Sequence, residues 1–133
     1  MNNSSFTAQS YRDEPVRYPP LQVVDLVAES TDVAQGYSNI VINSVNQHCL
    51  RLAVFEGEYP WHHHPTSDEL FLMVEGCLLV DLADGRTLRL EPWQTVTVPA
   101  GTVHRTRTEG RTVNLCFEEL AADTVFVDGP VDP

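Results

Sequence analysis

Gly57-Glu58-Tyr59-Pro60-Trp61-His62-His63-His64-Pro65-Thr66-Ser67-Asp68-Glu69-Leu70-Phe71-Leu72-Met73-Val74-Glu75-Gly76 is the stretch whose reading decides the fold of this chain. A strand turns successive side chains to opposite faces, so His62 and His64 share one face and His63 takes the other. Glu69 opens the next strand, Glu69 to Val74, with Phe71 and Met73 on its face and Leu70, Leu72 and Val74 on the opposite one. Two imidazoles and a carboxylate therefore converge. A fourth donor, His104, follows Pro99-Ala100-Gly101-Thr102-Val103, where a rigid proline and a permissive glycine shape a turn. His62, His64, Glu69 and His104 are thus the expected ligands of one metal ion. Asp68 neighbours Glu69 but does not begin the alternating strand, so Glu69 is preferred. His63 is expected to face solvent or an interface. His48 has no partner at ligand spacing and is expected to be structural or exposed.

Outward from that stretch the pattern is almost wholly strand-like. Ser38 to Val45, His48 to Glu56, Cys77 to Leu82, Arg86 to Leu90, Thr95 to Val98, His104 to Thr108 and Thr112 to Glu118 alternate, separated by turns such as Asn46-Gln47, Asp84-Gly85 and Glu109-Gly110. Many short strands with no long helical period predict an all-β antiparallel sandwich or barrel. Met1 to Pro20, polar and with prolines at 15, 19 and 20, reads as a loose arm with no interior role. Leu21 to Ala28 reads as a short strand or a helical turn. The expected divisions are an arm over 1–37, a barrel over 38–118 and a tail over 119–133. By strand parity Phe71, Met73, Thr106 and Thr108 are the expected pocket residues, with plain core packing an equal reading for Phe71 and Met73. Trp61 and Trp93 are read as candidates for a subunit contact.

These motifs resemble those of the cupin superfamily. Its first motif has a glycine, two histidines one residue apart, a glutamate and a closing glycine, here Gly57, His62, His64, Glu69 and Gly76. The gap from the glycine to the first histidine is one residue shorter than usual. Its second motif runs through Gly, Pro, Gly, His and Asn, and this chain supplies Pro99, Gly101 and His104, with Trp93 where glycine is usual and Thr108 where asparagine is usual. The resemblance implies a double-stranded β-helix (jelly-roll) barrel over about Ser38 to Glu118. It also implies a homodimer, since small cupins are typically dimers.

Composition narrows the functions. A chain of 133 residues suits one small domain. Its 19 acidic and 8 basic residues give a formal net charge of -11, which opposes binding to phosphate backbones. The apolar runs fall short of the roughly 20 residues that span a bilayer, and the first ten residues lack a signal-peptide pattern. A soluble cytoplasmic protein is expected, with no nucleic-acid or membrane partner. Cys49, Cys77 and Cys116 are odd in number and widely spaced, so buried reduced thiols are expected rather than disulfides. Imidazoles with a carboxylate suit zinc, nickel, iron, manganese or copper alike. The leading function is a small-molecule metalloenzyme of dioxygenase, isomerase or lyase type. A non-catalytic metal-dependent binding or sensing domain is the alternative, and a vestigial structural barrel the third reading. No general base with a distinctive spacing is visible.

Overall fold

The computed structural model describes residues 7–32 and 37–130. Two short helices, α1 (Ala8–Arg12) and α2 (Leu26–Thr31), precede ten strands. These are β1 (Tyr37–Val45), β2 (His48–Phe55), β3 (Glu58–His63), β4 (Glu69–Glu75), β5 (Leu78–Leu82), β6 (Thr87–Leu90), β7 (Thr95–Val98), β8 (His104–Thr108), β9 (Thr112–Glu119) and β10 (Val125–Phe126). They form two five-stranded sheets, ordered β1-β2-β9-β4-β7 and β10-β3-β8-β5-β6, with all strand pairs antiparallel. Apart from the β1-β2 and β5-β6 hairpins, successive strands cross between the sheets, as in a double-stranded β-helix.

Period-two alternation builds the core. Ala53 and Phe55 of β2 and Phe71 and Met73 of β4 face Leu78, Val80 and Leu82 of β5, with Leu90 and Val98 closing the cluster. Fully burying a side chain such as Met73 or Leu78 contributes about 1.5–3 kcal/mol. The opposite parity of β2, Leu52 and Val54, packs with Ile42 and Val113 in a second cluster on the outer face of the first sheet. Tyr18, Val24 and Leu26 cover that cluster.

Over its described residues the N-terminal arm is therefore not loose, while residues 1–6 of it lie outside the described residues. Arg17 and Tyr18 donate backbone hydrogen bonds to the carbonyls of Val41 and Ile42 at 2.9 and 3.0 Å, and Val16 forms a parallel bridge to Val41. Apolar Tyr18, Val24 and Leu26, spaced irregularly among prolines, carry no strand or helix period, which is why the arm reads as loose. The segment 21–28 resolves into extended chain and then α2, whose start Asp25 caps by accepting from the amides of Val27 and Ala28.

Several turns use left-handed backbone, and two of them bear on the family motifs. Gly76 has φ +85°, and a Cβ there would lie 2.5 Å from the carbonyl oxygen of Arg111, so only glycine fits. Trp93 has φ 67° in the turn where the family places glycine. Its amide donates to Met73 O at 2.8 Å, so the turn keeps its shape although a bulky residue occupies it. Trp93 is 75% exposed. Trp61 instead packs within its own chain. Arg105 lies 5.1 Å over its ring, Val127 donates to its carbonyl at 3.1 Å, and Gly129 sits so close that a Cβ would fall 2.4 Å from the indole nitrogen. The tail that β10 anchors beside β3 covers the face that sequence parity left open.

Candidate metal centre

The site lies at one end of the barrel, where the two sheets supply different chemistry. His62 and His64 come from β3 and the residue just past it, and His104 opens β8, where it pairs directly with His62. Glu69 opens β4 on the opposite sheet, and Cys116 and Glu118 stand on the neighbouring β9. The donor atoms of His62, His64, Glu69 and His104 all lie within 4.8 Å of one another, and all four residues are buried.

The backbone sets the orientation of each ring. Nδ1 of His62 is 2.7 Å from Pro60 O, that of His64 is 2.9 Å from Asp123 O, and that of His104 is 2.8 Å from Thr102 O. A carbonyl can only accept, so each Nδ1 carries a proton and Nε2 is the nitrogen that each neutral ring would offer an ion. The same device fixes the tautomer of histidines that bind metals. The Nε2 atoms of His104 and His64 lie 3.2 and 3.4 Å from Glu69 Oε1. Glu69 Oε2 accepts from the Cys116 thiol at 3.0 Å.

Beyond Glu69 lies a second carboxylate that the motifs did not reveal. Glu118 Oε1 pairs with Arg51 Nε at 3.0 Å and accepts from the Tyr11 hydroxyl. Its Oε2 has no hydrogen-bond partner and lies 3.9 Å from His64 Nε2, itself without one. The Tyr11 ring stacks on the His64 ring with centroids 5.4 Å apart, and the Arg51 guanidinium lies 3.8 Å over the Tyr11 ring.

Burial and charge distribute the protons unevenly. Burial, with His104 beside it, lowers the His62 pKa to about 3. Burial also opposes charge on His64, but the Glu69 carboxylate 3.4 Å away and the charge of Glu118 win and raise it to about 9. Burial disfavours the Glu69 carboxylate too, yet the hydrogen bond with His104 and the close approach of His64 hold its pKa well below the usual range. Burial and the nearby Glu69 push Glu118 up. A proton thus sits among carboxylates where a cation would serve the same charges better. The donor set, the three Nε2 atoms turned to one point and the His64 nitrogen without a hydrogen-bond partner fit a divalent ion.

A cavity of about 40 Å³ opens against this centre, lined by His62, Glu69 and Cys116 on one side and by Phe55, Phe71 and Leu78 among its apolar walls. Phe71 and Thr106 line it; Met73 and Thr108 do not. Met73 shares the parity of Phe71 but lies one step deeper, fully buried in the core cluster. The Thr108 hydroxyl accepts from the Gly57 amide at 2.8 Å, a polar contact between the two motifs. Asp68 turns away to accept from the Ala100 amide at 2.8 Å. His63 pairs with Val125 of β10, and His48 is exposed and stacked on Phe117. All three cysteines are free; Cys49 and Cys116 are buried and Cys77 only partly so.

Tyr11, Arg51 and Glu118 escaped the sequence reading. The signal for two of them was present: Arg51 is in phase with Ala53 and Phe55 on β2, and Glu118 with Asn114 and Cys116 on β9. Polar residues at inward positions of apolar strands mark a site. Tyr11 had no such signal.

A small barrel of two antiparallel sheets with three histidines and a glutamate gathered at one end defines the class to which the comparisons lead. Residues 50–118 match the family described as Cupin domain, and the chain belongs to it. The chain is 51% identical over 104 residues to the protein YdbB of Bacillus subtilis strain 168, a match covering 78% of this chain and 92% of that one. Among solved structures it is similar to a cupin-2 domain containing protein from Shewanella frigidimarina, at 26% identity and TM-score 0.68 over 73% of this chain and 94% of that one. It is also similar to a chain from the structures of the DMSP lyases RdDddP and RnDddQII, at 27% identity and TM-score 0.55 over 63% of this chain and 46% of that one. Among the described residues no helix is long and apolar enough to cross a membrane.

Proposed function

We propose that this cupin is a small-molecule metalloenzyme in which His62, His64, Glu69 and His104 hold one divalent transition-metal ion. The observation that carries the reading is the locking of all three Nδ1–H groups onto backbone carbonyls, which turns three Nε2 atoms toward one point beside a buried carboxylate. Zinc, nickel, iron, manganese and copper all suit this donor set. Bound there, such an ion would polarise a ligand oxygen or acidify a water. The chain's own residues divide the remaining work. Phe55, Phe71 and Leu78 exclude water, and Thr106 and Asn114, both buried on the cavity wall, orient a polar ligand. Glu118 Oε2, held in place by Arg51 and Tyr11, is placed to accept a hydrogen bond beside His64. Dioxygenase, isomerase and lyase chemistry belong to this reading, and the likeness to DMSP lyases supports the last.

Metal-dependent binding or sensing without turnover is the second reading, and the smallness of the cavity favours it. A homodimer joined through sheet edges and the exposed Trp93 goes with either reading. Elemental analysis of protein purified without an affinity tag tests the metal, with near-stoichiometric ion expected. A screen of small carboxylates, sugars and phenols against metal-loaded and metal-stripped protein then separates the readings. Metal-dependent turnover supports the enzyme, metal-dependent binding alone supports the sensor, and neither effect sinks both.

A further inference from the structure

Two cavities share one wall. The inner one, of about 40 Å³, touches the metal centre; the outer one, of about 210 Å³, opens among Thr7, Ser10, Glu14 and Arg51. Both are lined by Tyr11, Tyr37, Asn39 and Tyr59. Tyr37 and Tyr59 belong to barrel strands and stack on each other with centroids 5.8 Å apart. Tyr11 is different, because it comes from α1, a five-residue helix that buries no whole residue. One helical turn is unstable by itself. Its hold on the barrel is the Tyr11 hydroxyl on Glu118, the Tyr11 carbonyl accepting from Arg51 at 2.9 Å, the ring contacts with His64 and Arg51, and an exposed Arg12–Asp123 pair at 3.1 Å.

We infer that Tyr11 is the specificity-determining gate of this site, a ring that separates the inner cavity from the outer vestibule and sets the size of ligand that reaches the centre. A cavity of about 40 Å³ holds no more than a few water-sized groups, since one water needs roughly 10–15 Å³ on this measure. With Tyr11 in place the centre admits a ligand of a few heavy atoms, such as a carboxylate or hydroxy-acid head. A longer substrate swings Tyr11 aside and lays its remainder along Asn39, Arg51 and Glu14. α1 makes this displacement accessible, because segments with few buried contacts open at low free-energy cost. The assignment of a ligand to the centre rests on the function proposed above; the gate itself does not.

Cys116 provides a readout that needs no metal. It lines the inner cavity, is 3% exposed and touches Glu69, whereas Cys77 lies on the surface away from the site. The full-length, metal-stripped protein is treated with iodoacetamide and, separately, with the bulkier N-ethylmaleimide, and modification is followed peptide by peptide by mass spectrometry. Tyr11→Ala should speed modification of Cys116 by roughly tenfold, more for the bulkier reagent, with Cys77 unchanged. Tyr11→Phe keeps the ring but loses the hydroxyl on Glu118, so its rate should lie between the native rate and that of Tyr11→Ala. An unchanged Cys116 rate in Tyr11→Ala, or an equal acceleration at Cys77, would overturn the gate. Metal content measured on the same variants keeps the two readings apart: a gate that opens in a protein that never binds metal refutes only the metalloenzyme, and the converse refutes only the gate.

Discussion

The barrel buries two ionic clusters, and they are built to opposite rules. On β5, Asp81 is surrounded: Oδ2 accepts from Arg105 at 2.8 Å and Arg107 at 2.7 Å, and Oδ1 from Thr87 at 2.7 Å and Arg107 at 3.2 Å. Both oxygens are satisfied and the arginines reach solvent. At the barrel end, Glu69, Glu118, His62, His64 and His104 are more deeply buried, yet His64 Nε2 and Glu118 Oε2 have no hydrogen-bond partner. An unsatisfied buried polar group costs about 1–3 kcal/mol. A cluster that merely held strands together would be finished like the one around Asp81. The unfinished one keeps buried polar atoms that the chain itself does not pair.

The largest test of this contrast is metal binding. Replacing His62, His64 or His104 by Ala should weaken metal affinity beyond the roughly 10–100-fold that loss of an outer hydrogen-bond partner costs, while His63→Ala should bind as the native protein does. Isothermal titration with zinc reads both, and equal losses at His63 and His64 would break the assigned parity. Next comes stability at the same end. Arg51→Leu leaves Glu118 buried without its cation and should lower unfolding free energy by about 3–5 kcal/mol in urea melts. Asp81→Asn should cost only about 1–2 kcal/mol, because its partners are a third exposed and solvent screens them.

The clusters should also part company with pH. The Arg107 and Arg105 guanidiniums and Thr87 hold the Asp81 carboxyl below the usual carboxylate range. Its contribution is complete above about pH 4 and fades as acid protonates it, so the native and Asp81→Asn proteins should converge in stability only at low pH. His64 acts in the other direction. It keeps its proton until about pH 9 in the metal-free protein, so an incoming ion must displace that proton at any lower pH. Apparent metal affinity should fall by about tenfold per unit as pH drops from 9 to 7 and be flat above 9. A flat profile throughout would mean that His64 holds no proton. The smallest expected effect lies far from both clusters. Trp93 adopts a left-handed conformation that costs a non-glycine residue about 1–2 kcal/mol, so Trp93→Gly should leave stability unchanged or raise it by about 1 kcal/mol, with metal binding untouched.

Local periodicity made much of this protein legible. The alternation of His62, His63 and His64 and the phase of Glu69, Phe71 and Met73 are consequences of backbone pleating, which three or four neighbouring residues specify without help from the rest of the chain. The same holds for the turns at Asn46-Gln47, Asp84-Gly85 and Glu109-Gly110, and together they account for the strand pattern and the four clustered donors. Tertiary structure decided what those donors face. Tyr11 and Glu118 are 107 residues apart and meet only because α1 folds over the barrel end, and Arg51 reaches Glu118 only because β2 lies beside β9. Trp61 is covered by its own tail, and Thr108 is spent on Gly57 rather than on the cavity. Parity tells which face a side chain takes; which strand lies opposite, and how deep along it a residue sits, depends on sheet order and on the register shifts at Tyr59/His62 and Met73/Glu75, which long-range packing sets.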